Sequence, residues 1–132
     1  MLVSLYKNHA QVGPLFYFEL PTMRQTLELL SKSVALLEDN AFDSKKYSHH
    51  IGNLMKDYAA RVPSFASILS YPDIKELLEG LEASYFGVRY GESALQYDGD
   101  AWLLFLRSAV DLLTDIRNRT KLRFPQYMPW QQ

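Results

Sequence analysis

The sequence predicts an all-α protein, a bundle of four main helices with a short helix at its start. Three observations carry that expectation. Apolar residues recur at steps of three and four along nearly the whole chain, the spacing that lines one face of a helix. Sustained period-two alternation, the mark of a half-buried strand, does not occur. Glycine, proline and short polar runs separate the periodic stretches.

The elements follow in order. A short helix is expected around Leu2 to Ala10, ended by Gly13-Pro14. Met23, Leu27, Leu30, Val34 and Leu37 then form one stripe. Its helix starts at Pro14 or Pro21; in the first case Pro21 kinks it, because proline donates no backbone hydrogen bond. Asn40 to Ser44 reads as a polar loop. A second stripe is Ile51, Leu54, Met55, Tyr58 and Val62, and a third is Ile74, Leu77, Leu78, Leu81 and Tyr85, entered through Pro72 and Asp73. Gly87 ends the third, and Gly91 to Gly99 is a loop. Asp100 is a good N-cap for the last helix, whose stripe reads Trp102, Leu106, Ala109, Leu113 and Ile116, reinforced by Leu103, Val110 and Leu112. Residues 1–124 form one domain, and 125–132 a tail with two prolines and no helical stripe.

Composition narrows the classes of function. At 132 residues and 48% hydrophobic the chain can bury a real core. No apolar run approaches the roughly 20 residues of a membrane span, and the start lacks a secretory signal pattern. Cysteine is absent, which excludes disulfides and thiolate chemistry. A soluble, cytoplasmic protein is the expectation. Net charge is −1, so affinity for a polyanion must be local.

Local concentrations of chemistry are few. Adjacent His49 and His50 in KKYSHHIGNL point about 100° apart on a helix, so they do not form a metal pair, and no metal or other cofactor is expected. Ser48 or a neighbour is expected to cap the helix that follows. Lys32 stands four residues after Glu28, the spacing of an ordinary ion pair, with ligand binding as the other reading. Arg89 lies among Tyr85, Phe86 and Tyr90, where it either grips an anion or locks its loop onto the bundle. Arg117, Arg119, Lys121 and Arg123 sit within seven residues with no acid among them. Cations suit the negative end of a helix, but this density also suits RNA or nucleotide binding, with Phe124, Tyr127 and Trp130 following as stacking or docking groups. No serine has a partnered base that sequence can show.

Taken in order, several of these segments resemble the HEPN domain family. LELLSKSVALL is similar to the family's second-helix pattern, and Lys45-Lys46-Tyr47-Ser48-His49 to its lysine-rich approach to a histidine, with His50 where an aspartate is common. Tyr85-Phe86-Gly87-Val88-Arg89-Tyr90-Gly91-Glu92 resembles its Tyr-x-x-x-Arg-Tyr-x-acid segment, and the resemblance spans residues 14–121. It implies an up-and-down helical bundle, a homodimer, and either a metal-independent ribonuclease or toxin of a toxin–antitoxin pair, or a non-catalytic partner of a nucleotidyltransferase. Nuclease members carry an arginine, a polar residue, three variable residues and a histidine on the last helix. Here Arg117-Asn118 is followed by Arg119, Thr120, Lys121 and then Leu122, and no histidine occurs after His50. Arginine stays protonated and can only stabilise an anion, so the group that would handle the 2′-hydroxyl proton is missing. His49 substitutes only if the fold brings it beside Arg117.

The reading is therefore a non-catalytic binding or interaction module, with RNA, a nucleotide or a nucleotidyltransferase as its partner and no catalytic residue assigned. Its candidate ligand-binding residues are Lys32, Lys46, His49, Arg89, Arg117, Asn118, Arg119, Lys121 and Arg123. The alternatives are a divergent ribonuclease and a structural protein that docks through Phe124 to Trp130.

Overall fold

The computed structural model describes residues 14–85 and 99–124. They form six helices and no strand: α1 (Pro14–Glu38), α2 (Ser44–Tyr47), α3 (Ile51–Tyr58), α4 (Pro63–Leu69), α5 (Ile74–Tyr85) and α6 (Gly99–Arg123). The all-α class stands, and the helix count differs from the expected four. The short helix at Leu2 to Ala10, the Gly91 loop, Arg89 and the tail from 125 lie outside the described residues.

The first long helix begins at Pro14 and contains Pro21, whose nitrogen leaves one rung of the helical ladder unmade. Its stripe is as expected at the centre: Met23, Leu27 and Val34 are buried, with Leu20 and Ala35 extending the line. The stretch read as one helix from Ile51 to Val62 is divided. Ile51, Leu54, Met55, Tyr58 and Val62 are all buried, but the helix stops at Tyr58, and α4 opens with Pro63 in its first turn, where the missing N–H costs nothing.

Hydrogen bonds give the directions of these pieces. Ser48, just before α3, lies against Lys32 in the middle of α1, whereas Tyr58 at the end of α3 donates to Asp39 just beyond α1. Helix α3 thus runs the same way as α1, so this part of the chain is not a simple alternation. Helix α4 runs back along α6, with Ser64 bonded to Asp115 and Tyr71 to Asp111. Arg119 of α6 reaches Glu38, so the C-terminal ends of the two long helices meet.

Helix α6 corrects the sequence reading most. The expected stripe Trp102, Leu106, Ala109, Leu113, Ile116 holds only in part: Ala109 is buried, Trp102, Leu106 and Ile116 pack at the edge of the core, and Leu113 faces out. Phe105, Ser108, Ala109 and Leu112 face inward, while Leu113 is 53% exposed and Trp102, Leu106 and Ile116 are half-buried. Two lines of residues have helical spacing on this helix, and only packing selects between them. Asp100 falls inside the first turn as the second residue of the helix, two later than the cap position, where its charge still suits the positive helix end.

Candidate functional site

Three polar groupings are built by these elements. The first centres on Glu28, on the flank of α1 beside the core line. Its Oε1 accepts from Arg24 and from His49 Nδ1, both at 2.7 Å, and its Oε2 from Lys32 at 3.2 Å. An ionised carboxylate only accepts, so His49 Nδ1 carries the proton in this contact. Burial raises the Glu28 carboxyl, but hydrogen bonds from His49 and Lys32 and their charges outweigh it and hold the group below the usual range. Lys32 also donates to the Ser48 carbonyl at 2.6 Å. Ser48 has φ 52°, a left-handed conformation that side chains other than glycine rarely adopt. Of the two options the sequence left open, Ser48 or a neighbour, it is the neighbour His50 that stands at the N-cap position of α3, without a side-chain hydrogen bond to the helix; Ser48 is the turn residue between α2 and α3. Asp43 is the residue that caps, accepting from the Lys45 N–H of α2. The first turn of α3 is served instead by Glu82 of α5, which accepts from the Gly52 N–H at 3.1 Å.

The second grouping joins the C-terminal ends of α1 and α6. Glu38 Oε1 accepts from Arg119 at 2.7 Å, and Arg119 also bonds Asp115 one turn back. The bond from Arg119, joined by the charges of Arg119 and Arg61, draws the Glu38 carboxyl below its usual range. Arg123 donates to the Leu37 carbonyl at 3.1 Å and to Asn40 Oδ1 at 2.6 Å, closing one of the carbonyls that the end of α1 leaves open. Arg119 and Arg123 of the basic end are thus engaged with the fold itself. Arg117, Asn118 and Lys121 are exposed.

The third is a shallow depression of about 360 Å³ lined by Lys46, Tyr47, His50, Asn53, Lys56 and Asp57. The Tyr47 hydroxyl, buried with its ring against Phe42 and Tyr58, donates to Asp57 at 2.8 Å. Burial and the neighbouring Asp57 push the Tyr47 phenol up to about 12.

Among the sequence-predicted residues, Lys32 and His49 meet at Glu28. Lys46 lies in the depression, and Arg117 to Arg123 share the end of α6. These groups do not merge: His49 is bound at Glu28, ten residues or about 15 Å along α1 from Glu38, where Arg119 is bound. His49 is therefore not beside the basic end of α6. Sequence reading missed Glu38 and the polar face His50, Asn53, Lys56 and Asp57; the latter was legible as the complement of the buried stripe on α3. No group of three or more histidine, cysteine or acidic residues is arranged to hold a metal among the described residues, and no helix among them is long and apolar enough to cross a membrane. Comparison with protein-family models, curated proteins and solved structures gives no match.

Proposed function

We propose that the chain is a non-catalytic interaction module of the HEPN type that works as a homodimer through the outward faces of α1 and α6. The observation that carries this reading is a second apolar line on α6. Leu103, Val110 and Leu113 are 49%, 58% and 53% exposed, with half-buried Leu106 between them. Their steps of three and four give the seam that helices use to pair. On the adjoining helix α1, Leu29 and Leu36, seven residues apart, are also exposed.

A second copy fits this surface. Paired antiparallel about a two-fold axis, Leu103 meets Leu113 of the other copy and Leu106 meets Val110, and the same pairs recur on the other side of the axis. Two helices side by side, each about 10 Å wide and about 35 Å long, present roughly 700 Å², near the roughly 800 Å² each partner gives to a standard stable interface. Arg117 and Lys121 continue beyond the apolar line and are exposed, which places them to engage RNA, a nucleotide or an acidic surface of a nucleotidyltransferase. Among the described residues, His49 is held at Glu28 and His50 lines the separate depression, which supports binding over cleavage at Arg117 and Lys121.

Sedimentation analysis tests the reading. The wild type is expected at the mass of two chains, and Val110→Glu with Leu113→Glu at the mass of one. Structured RNA incubated in chelator is expected to stay intact with the wild type and with Arg117→Ala. A monomeric wild type, or cleavage that Arg117→Ala removes, overturns the proposal.

A further inference from the structure

We propose that the depression between α2 and α3 is a binding site for a phosphate monoester, held by Lys46, Lys56, His50 and Asn53. The site is distinct from the α6 face and does not depend on dimerisation.

Its donors converge from two elements. His50, Asn53 and Lys56 recur at steps of three from the start of α3, on the side opposite buried Ile51, Leu54, Met55 and Tyr58. Lys46 comes from α2, its ammonium 5.4 Å from the centre of the Tyr47 ring. Neither Lys46 nor Lys56 makes an ion pair among the described residues, so both ammonium groups are available to an anion. Asp57 also lines the depression and opposes a negative ligand. One of its oxygens accepts from the Tyr47 hydroxyl, and the two lysines outnumber it. A phosphate monoester, close to doubly charged at neutral pH, matches two lysines better than a singly charged diester does.

The walls are held in place from behind. Lys32 fixes the Ser48 carbonyl, and Glu28 fixes His49, so the turn that connects Lys46 to His50 is tied to α1 at two points. This gives the adjacent histidines separate tasks: His49 faces in and anchors, while His50 faces out and lines the site. A volume of about 360 Å³ lies at the lower end of the range for small-molecule sites, about 300–1,000 Å³. Tyr47 is buried and offers no stacking face, so the phosphate rather than a base is the recognised part.

The test is a titration of the full chain followed by amide resonances, using adenosine monophosphate, adenosine, and an oligoribonucleotide with a 5′-phosphate or a 5′-hydroxyl. The expected result is saturable shifts confined to residues 46–57 with the monophosphate and none with adenosine. Each of Lys46→Gln and Lys56→Gln, both at exposed positions, is expected to weaken binding roughly tenfold, while Lys75→Gln, exposed on α5 and not part of the lining, leaves it unchanged. Binding of the phosphorylated oligonucleotide, but not of the monophosphate, would assign the phosphate to an RNA end; binding of the monophosphate assigns it to a small molecule. Absence of saturable shifts with every phosphate probe, equal shifts with adenosine, shifts centred on Arg117 and Lys121, or full retention of binding in both glutamine variants would overturn the site.

Discussion

Glu28 and Glu38 stand on the same helix, each holds more than one basic side chain, and they sit in different surroundings. Glu28 lies mid-helix, 9% exposed, and fastens the α2–α3 turn through His49 and Lys32. Glu38 lies at the helix end, with a quarter of its side chain exposed, and fastens α6 and the α3–α4 turn through Arg119 and Arg61. A carboxylate with little access to water depends wholly on its partners, whereas one at the rim exchanges them for solvent at modest cost. Similar contacts at the two positions therefore hold the fold with unequal strength.

The largest expected effect comes from breaking the inner cluster. Glu28→Ala should lower unfolding free energy by about 2–3 kcal/mol, because it leaves Arg24, Lys32 and His49 half-buried without their shared acceptor; urea denaturation reads it, and a loss no greater than that of Glu38→Ala would erase the distinction. Arg119→Ala should cost about 1–2 kcal/mol by the same assay, since its two carboxylate partners remain partly hydrated. Acid titration sharpens the contrast. Both carboxyls are depressed in the folded state, so their contribution is full above the ordinary carboxylate pKa of about 4.3 and is lost as pH falls through the depressed folded values. Glu28→Gln and Glu38→Gln should each flatten that acid limb in thermal melts, and an unchanged limb in both would refute the linkage. The smallest effect has the opposite sign. Ser48→Gly keeps the carbonyl that Lys32 holds and relieves the positive φ, so the melting temperature should rise by an amount equivalent to about 1 kcal/mol or less.

How far the sequence could be read follows from the same physics. The α1 stripe was legible because leucine, methionine and valine recur on one face and exposed leucines are few. The division of the second helix was signalled by Pro63, a residue that favours a helix start, but the unbroken apolar spacing across it concealed the break. On α6 two apolar lines coexist, and no local rule tells which one a neighbour will cover. The 100° expected between the histidines assumed a helix, whereas both lie in the turn before α3; which one faces inward depends on the φ of Ser48, a property of the turn rather than of residue types. The basic end looked like a single ligand surface because the acids that claim half of it, Glu38 and Asp115, lie on other turns or another helix.

The meeting of Arg123 with the Leu37 carbonyl also sets a timetable for the nascent chain. Residues 14–38 leave the ribosome before residues 119–123, and the end of α1 gains these partners only when the later segment has emerged. Until then the helix terminus is hydrated and open, and a polypeptide halted before Arg119 carries it in that state. Closure of the α1 terminus is therefore a late step of folding, set by a partner 86 residues further along the chain rather than by the helix's own residues.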